Sequence, residues 1–494
     1  MDAALQGFAL IADPWTVLLV LAGVVVGVIV GALPGLSSPM AVALLMPFTI
    51  SLSPVAAIAM LAALYCAGTY GGSITAILIN APGAPPSVAT AFDGYPMARK
   101  GEAGRALGLA TVASGIGGAI SLVVFIVATP LLAKVALEFK PPEYFALSLF
   151  ALSMLAGISG KSSLRNLIAG AFGVLVGTAG IHLTTGVERF TFGVQELTDG
   201  VHFVPVLIGL FAVAELLNQS QTLHIAYERV AAVVVRLPSR ADLRKVMPCI
   251  LRSSGIGTFI GILPAEGSTV AAIIGYNEAK RWSKEKETFG HGAPEGVAGP
   301  EAANNAATGG AMVPTLALGI PGSSTTAVIL AALIMHGFRP GPYLMQNTPE
   351  FVYAIFWAML LANAMFLGIG LIAAKAFSRI TLIPREFLWP AVFVFAMIGA
   401  YSYSGAVFDV GVMLTAGVVG FLMLRHGFGP APLVMGLILG GMVEERLSQS
   451  MIMFDNDWTR FLESPIVVLF FALTALSLLG PPAMAWARKR KGAP

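Results

Sequence analysis

Long apolar runs recur along almost the whole sequence, and short polar segments separate them. About 20 apolar residues in a helix cross the hydrocarbon core of a membrane, where the backbone must satisfy its own hydrogen bonds. The runs lack the alternation of barrel strands, so we predict an all-α polytopic membrane protein with about 10–14 transmembrane segments. The apolar runs lie at 15–33, 40–66, 106–133, 143–157, 166–181, 201–217, 247–274, 311–335, 352–376, 386–400, 408–424, 431–442 and 465–486.

The charge content of the chain points to the same class. Only 11% of its 494 residues are charged, against about 25% in an ordinary soluble domain, and the mean hydropathy is +0.82. The net charge of +3 is small, and the Lys and Arg residues lie in short segments between apolar runs. This distribution is typical of membrane orientation signals and argues against nucleic-acid binding.

Several kinds of chemistry lack the residues they need. Cys66 and Cys249 are the two cysteines, which is too few for a disulfide framework or a cysteine-rich metal site. The six histidines do not cluster, and no His-Glu-x-x-His motif occurs. We therefore predict no catalytic residues, no cofactor and no metal site other than one for Na⁺. The first apolar run, 15–33, has no preceding basic segment or cleavage site and is predicted to be a retained span.

An internal repeat divides the sequence. The segment from Gly27 to Pro34 (GVIVGALP) recurs at Gly257 to Pro264 (GTFIGILP), and a later Gly-Gly…Pro-Gly pattern is also duplicated. Two related halves with helices broken at matching places are typical of secondary transporters, commonly as inverted repeats. We predict a first membrane repeat at 1–217, a basic amphipathic linker at 218–246, a second membrane repeat at 247–487 and a basic tail at 488–494.

Basic segments give the expected orientation of the chain. Arg and Lys residues in the linker 218–246 and in the tail 488–494 predict that both are cytoplasmic. The stretch 277–301 mixes Lys, Arg and Glu, so its side is less defined. Inverted repeats with an odd number of spans would place both chain ends on one side, yet residues 1–14 contain no Lys or Arg. We give more weight to the basic tail.

Pro and Gly interrupt the apolar runs at duplicated positions. Pro ends a helix, and a following Ser or Thr can cap a new one, so half-helix N-termini with unpaired N–H groups would point into the bundle and favour an anion. The alternative is that these are kinks relieved by Ser and Thr. The predicted substrate-binding residues are Pro34, Gly35, Ser37, Ser38, Asn80, Pro82, Gly83, Ser87, Pro321, Gly322, Ser323, Ser324 and Thr325. The stripe of Gly23, Gly27 and Gly31 is predicted to allow close helix packing.

Polar groups at the edges of apolar segments are candidates for ion coupling. A carboxylate at membrane depth is costly unless it is paired, protonated or bound to a cation. The predicted ion-coupling residues, which would bind Na⁺ or carry a proton, are Glu266, Glu301, Asn304, Asn305 and Thr308. The alternative is helix capping at the membrane edge.

The chain contains several longer motifs: YGGS at 70–73, NAPG at 80–83, DGYPMARKG at 93–101, EGVAGPEAANNA at 295–306 and LGIPGS at 318–323. With these motifs the chain resembles the large membrane subunit of the tripartite tricarboxylate transporters. The resemblance extends over nearly the whole chain. In one place the chain departs from the family pattern, because Ala265-Glu266-Gly267 puts an acid where Gly followed by a small or apolar residue is expected.

The resemblance implies a permease subunit in the bacterial inner membrane that imports a di- or tricarboxylate or a related organic acid with Na⁺ or H⁺. It also implies two partners, a small membrane subunit with about four spans and a periplasmic substrate-binding protein, and it is compatible with a homo-oligomer. Two other classes stay open: a non-transporting membrane scaffold or sensor, and an intramembrane enzyme. The enzyme would need a nucleophile beside a base, and no His or Lys has suitable spacing.

Overall fold

The computed structural model describes residues 2–155, 163–182, 184–220, 235–264, 267–372 and 385–490. It is almost entirely helical, with one short antiparallel pair of strands. The α-helices of the first half are α1 (Asp2–Ile11), α2 (Pro14–Ala32), α3 (Ser38–Leu45), α4 (Pro54–Ile79), α5 (Val88–Met97), α6 (Ala103–Ala136), α7 (Pro141–Met154), α8 (Ser163–Gly177), α9 (Phe203–Ile208) and α10 (Ala214–Gln219). The strands are β1 (Gly180–Ile181) and β2 (Glu188–Arg189).

The second half has a similar construction. Its α-helices are α11 (Arg240–Ile262), α12 (Gly267–Trp282), α13 (Pro294–Leu318), α14 (Ser324–Met335), α15 (Pro342–Asn347), α16 (Pro349–Ile372), α17 (Arg385–Ser404), α18 (Val407–Arg425), α19 (Pro430–Met453) and α20 (Pro465–Arg490). Short 3₁₀ turns cover Met46–Ser51, Pro85–Ser87, Gln195–Leu197, Lys286–Thr288 and Trp458–Glu463, and π-helical turns cover Ala98–Glu102 and Gly209–Val213.

Among the described residues, five helical segments are long and apolar enough to cross a membrane. They are Pro14–Ala32, Pro54–Ile79, Pro85–Ala136, Pro349–Ile372 and Val407–Arg425. With the almost complete lack of sheet in the described chain, they confirm an all-α polytopic membrane protein. The total of about 10–14 spans stays a prediction, as do the boundaries of the two repeats, the linker and the tail.

Two helices, α2 in the first half and α11 in the second, end in the same way. The backbone of α2 becomes extended at Leu33 (φ −87°, ψ 114°), and that of α11 becomes extended at Leu263 (φ −76°, ψ 131°). Each leucine directly precedes a proline, and a residue before proline is disfavoured in the helical region. The duplicated Leu-Pro pair therefore ends both helices, as the sequence pattern predicts.

Within each half, the helix that ends at the Leu-Pro pair runs parallel to a second long helix, α2 to α4 and α11 to α13. A methyl group built on Gly27 would lie 2.6 Å from the carbonyl oxygen of Leu64, and one built on Gly31 would lie 3.0 Å from the Cα of Gly71. Contact therefore moves forward along α2 and α4 together, with the glycine stripe of α2 facing α4. In the second half, Gly261 of α11 packs against Ala307 of α13 with a corresponding distance of 2.5 Å.

The two halves run in opposite directions. Asn304 of α13 donates to the carbonyl oxygen of Thr69 on α4 (3.3 Å), whereas Glu301, one turn earlier, meets Ser73, one turn later. Contact thus moves backwards along α4 as it moves forwards along α13. The long helices are therefore related as inverted repeats require.

The breaks that follow α4 and α13 are also equivalent. The chain folds back so that Gly83 packs against the backbone of Gly31, and Gly322 packs against that of Gly261, where a methyl group would lie 2.9 Å from the carbonyl oxygen. A side chain larger than hydrogen would separate these backbones. The Pro-Gly pairs are therefore needed for close approach between each break and the first helix of its own half.

Helix direction defines two faces of the molecule. The inner face carries the ends of α5, α10 and α12 and the starts of α6, α11 and α13; the outer face carries the end of α6, the end of α13 and the start of α16. Arg99, Lys100, Arg105, Lys280 and Arg281 lie at the inner face. Because α4 runs antiparallel to α13, it starts at the outer face. The helix α2 runs parallel to α4, so the start of α2 also lies at the outer face.

The last helix returns to the inner face. Ser464, at the start of α20, donates to Glu143 near the start of α7 (2.7 Å), and Ser477 donates to the carbonyl oxygen of Ser153 further along α7 (3.2 Å). The two helices therefore run parallel, away from the outer face. The end of α20 therefore lies at the inner face, opposite to the start of α2.

Candidate functional site

The breaks of both halves meet around one cavity of about 520 Å³, which we call the central cavity. Its wall contains the turn after α2, the turn after α4, the start of α12 and the start of α14. The predicted binding residues that line it are Gly35, Ser37, Ser38, Pro82, Gly83, Ser323, Ser324 and Thr325. Residues as far apart in the chain as Gly35 and Thr325 thus share one site.

Helix N-termini dominate the wall of the central cavity. Ser38, Ser268 and Ser324 lie in the first turns of α3, α12 and α14, and all three line the cavity. The first N–H groups of a helix have no partner within the helix, and the dipole places partial positive charge at that end. No Lys or Arg is among the lining residues of the described chain. Backbone dipoles and hydroxyl groups at these helix starts favour an anion, whereas Glu215 is the one charged side chain in the lining of the described chain.

Two of the predicted serines act as helix caps. The Oγ atom of Ser37 accepts the N–H of Met40 (3.4 Å), and that of Ser323 accepts the N–H of Thr326 (3.2 Å). The hydroxyl of Tyr65 also contacts Ser323 Oγ (3.2 Å). Capping and cavity lining therefore coexist in these side chains.

Other predicted residues lie away from the lining. Asn80 is exposed and ends α4 with a left-handed backbone (φ 52°), and Gly319 ends α13 in the same conformation (φ 72°). The left-handed backbone at the end of α4 therefore accounts for Asn at position 80. Pro34, Ser87, Pro321 and Gly322 also lie outside the residues that line the cavity. Ser87 is fully buried, and its Oγ has no hydrogen-bond partner within the described chain.

The structure adds residues that the sequence did not indicate. Tyr65 and Thr69, one turn apart on α4, line the central cavity. Glu215 of α10 also lines it. Gln219 donates to Glu215 (2.7 Å) and to the carbonyl oxygen of Gly35. The acid is therefore bonded through Gln219 to the first break.

Glu301 is a fully buried carboxylate behind the wall of the central cavity. Ser73 donates to its Oε1 (2.5 Å), Thr90 donates to the same oxygen, and Ser114 donates to Oε2 (2.8 Å). These hydroxyls come from α4, α5 and α6. Within the described ranges, no Lys, Arg or His forms an ion pair with Glu301. A carboxylate in such a place calls for a proton or a small cation.

Asn304 lies one turn beyond Glu301. Its Nδ2 donates to the carbonyl oxygen of Thr69 (3.3 Å), while its Oδ1 is buried without a partner in the described chain. Asn305 and Thr308 instead bond within α13: Asn305 Nδ2 contacts the carbonyl oxygen of Glu301 (3.5 Å), and Thr308 Oγ1 donates to that of Asn305 (2.7 Å). Asn304 thus has a buried acceptor without a partner in the described chain. Glu266 lies outside the described residues.

Asp93 is a second buried carboxylate, at the inner face. Its Oδ1 accepts the backbone N–H groups of Gly290, Gly292 and Ala293 at 2.7–2.8 Å, and Tyr276 donates to Oδ2 (2.9 Å). Asp93 follows the break of the first half, and its partners lie on α12 and in the segment between α12 and α13 of the second half. It therefore ties the two halves together. No group of three His, Cys, Asp or Glu in the described part of the chain could hold a metal ion.

Comparison with known proteins gives a consistent result. The sequence model of the tripartite tricarboxylate transporter TctA family matches residues 17–435. A protein of Agrobacterium vitis, described as an uncharacterized 52.8 kDa protein in the TAR-I ttuC' 3'region, is 40% identical over 467 residues, which cover 94% of this chain and 93% of that protein. A second, described as an uncharacterized protein in the TAR-II ttuC' 3'region, is 38% identical over 224 residues, covering 45% of this chain and 89% of its own length. No solved structure matches significantly.

Proposed function

We propose, from the premise that this chain belongs to the tripartite tricarboxylate transporter TctA family, that it is the permease subunit of a binding-protein-dependent secondary transporter. It would import a di- or tricarboxylate or a related organic acid together with Na⁺ or H⁺. The family is one of membrane transporters, which supports a non-enzymatic function. The observation that carries the proposal is the central cavity, where helix N-termini from both halves converge.

The cavity suits a small organic anion. Its volume of about 520 Å³ lies in the range of roughly 300–1,000 Å³ that is usual for small-molecule sites. Backbone N–H groups at helix starts bind carboxylates without a fixed cation. Broken helices near the membrane midplane, with their N-termini towards an anionic substrate, are characteristic of secondary transporters. The hydroxyls of Ser38, Ser324 and Thr325 would add donors.

Cation coupling is proposed for the polar cluster behind the cavity wall. Ser73 lies one turn beyond Thr69 on α4, so Glu301 is close to the substrate wall without being part of it. Glu301 would bind the coupling proton, while the free Oδ1 of Asn304 would be a ligand if the ion is Na⁺. In either version, a cation beside the cavity would compensate the charge of the carboxylate.

Membership of the TctA family supports our proposal for the partners and the location. The permease would act with a small membrane subunit of about four spans and with a periplasmic substrate-binding protein. It would lie in the bacterial inner membrane with its basic inner face towards the cytoplasm, as expected from the distribution of Lys and Arg.

Reconstitution tests the proposal. Proteoliposomes that contain both membrane subunits, supplied with the binding protein and labelled citrate or other carboxylates, should accumulate unaltered label only when a cation gradient is imposed. Ser38→Ala together with Ser324→Ala should lower uptake by about tenfold through lost donors, whereas Ser477→Ala, on α20 away from the cavity, should not. A sensor would move no label, and an enzyme would return a chemically altered product. Uptake by the double variant at the wild-type rate would refute the assignment of the site.

A further inference from the structure

A second cavity, of about 690 Å³, opens at the outer face and lies apart from the central cavity. It is bounded by the corner between α6 and α7, the end of α13, the segment 337–348 and the last turns of α19. We call it the arginine cavity because Arg339 and Arg446 line it. Within the described chain its lining contains no carboxylate, although acidic residues such as Glu445 and Asp457 lie elsewhere on the outer face.

Arg446 is held in place with part of its hydrogen-bonding capacity unused. Its Nη1 donates to Gln449 (2.8 Å), and its guanidinium carbon lies 5.5 Å from the ring centre of Tyr144. The Tyr144 hydroxyl donates to the carbonyl oxygen of Ala136 (2.9 Å), which fixes that ring. The Nε of Arg446 is buried and has no partner in the described chain. A buried donor without a partner calls for an explanation, and an acceptor on a bound ligand would supply one.

Arg339 supplies the second positive charge. It is exposed, and within the described residues no carboxylate lies within ion-pair distance of it or of Arg446. The neighbouring acid Glu444 is already paired with Arg189 on the hairpin. Two guanidinium groups without an acid between them favour an anion, and guanidinium matches the planar geometry of a carboxylate.

The arginine cavity is connected in sequence to the central cavity. Leu318, the last residue of α13, lines the arginine cavity, and Ser323, the cap of α14, lines the central one. The short segment 319–322 separates them. An anion in the arginine cavity would therefore lie beside the outer end of α13, across the break from Ser323 and the central cavity.

We propose that the arginine cavity is a second anion site, which takes a small carboxylate at the outer face before it reaches the central cavity. The direction of this step rests on the proposed transport function, whereas binding itself does not. Arg446 is the half-buried contact of the site, and Arg339 is the exposed one. The arginines attract the anion, and the break after α13 then receives it.

Direct binding is the first test. Full-length protein in phosphatidylcholine nanodiscs is titrated with labelled citrate, and the wild type should show two sites. The double variant Arg339→Gln with Arg446→Gln should lower the citrate affinity of one site by at least tenfold, equivalent to about 1.4 kcal/mol. A protein with Arg446→Lys in place of Arg446→Gln should regain part of that affinity. Arg460→Gln is the matched control, since Arg460 lies on the outer face against Phe454 and Glu463.

Transport gives a readout that a purely structural role would not produce. In vesicles of known orientation, the double variant should raise the half-saturating citrate concentration for entry from the outer face by about tenfold, while exit from the inner face is unchanged. Equal loss in both directions, or unchanged binding, overturns the proposal. If the double variant does not elute as a folded protein, the exposed Arg339→Gln alone carries the test.

A lipid headgroup is the competing occupant. Loss of citrate binding in nanodiscs with phosphatidylglycerol, together with that lipid co-purifying with the wild type but not with the double variant, would assign the cavity to lipid and overturn the proposal. If wild-type vesicles transport no carboxylate while citrate binding still depends on the arginines, the transport function fails and the anion site stands.

Discussion

Replacing Glu301 by Gln is expected to separate substrate movement from cation coupling. The carboxylate is fully buried, accepts three hydroxyl donors and has no cationic partner in the described chain. Gln has nearly the same shape and cannot carry a proton or compensate a cation. Since Gln resembles the protonated acid, the variant should fold, and exchange of substrate across the membrane should continue. Net accumulation against a gradient should fail.

The size of the effect follows from a single ionisable group. One carboxylate carries one elementary charge per cycle, and one charge across 100 mV corresponds to about 2.3 kcal/mol. Because tenfold in an equilibrium constant corresponds to about 1.4 kcal/mol, the steady-state accumulation ratio should fall by about 50-fold at that potential. The assay is labelled citrate uptake into proteoliposomes with an imposed potassium diffusion potential, compared with citrate exchange in the same vesicles.

Glu295→Gln provides the matched control. Glu295 lies at the start of the same helix and accepts a hydrogen bond from Ser283 at the inner face (2.5 Å). It should retain wild-type accumulation. The reasoning about Glu301 is refuted if Glu301→Gln accumulates citrate as the wild type does. It is also refuted if exchange and accumulation are lost equally in folded protein, because Glu301 would then serve binding rather than coupling.

Three stability predictions are independent of transport. Asn80→Val should lower the free energy of unfolding by about 1–3 kcal/mol because a β-branched residue is strained at φ 52°, and Asn80→Gly should not; thermal unfolding in detergent separates them. Gly27→Ala should cost about 1–3 kcal/mol, since its methyl group would lie 2.6 Å from backbone, whereas Gly411→Ala has open space. At the polar start of α11, Arg105 holds the pKa of Asp242 below its usual value. This stabilisation is present above the unfolded pKa and is lost as pH falls through the folded one, so Arg105→Gln should flatten the acid limb of a stability–pH profile.

The sequence predicts the helical class and much of the central cavity for a clear reason. Pro and Gly act locally on the backbone, so the duplicated Leu-Pro and Pro-Gly pairs indicate breaks without knowledge of the fold. Inverted repetition then implies that breaks from both halves meet. Ser38, Pro82 and Ser324 are found in this way.

Other site residues leave no local signal. Almost every residue of α4 is buried, so its hydrophobic pattern has no preferred face, and nothing distinguishes Tyr65 or Thr69 from their neighbours. The hydroxyl donors to Glu301 come from three helices of the other half, brought there by packing alone. Arg446 and Arg339 lie more than a hundred residues apart and share a cavity only because α19 packs beside the end of α13.

The equivalent backbone contacts of Gly83 with Gly31 and of Gly322 with Gly261 have a consequence for how the transporter can be biased. In the transport cycle that we propose, the contact in the first half would close the site towards one face of the membrane, and the contact in the second half would close it towards the other. Two related copies of a short peptide would thus act as two opposed gates, and their balance would depend on how far the copies have diverged. A loosening substitution in one copy should shift the resting population towards one opening. The matching substitution in the other copy should bring it back, even though the doubly altered protein is looser at both ends.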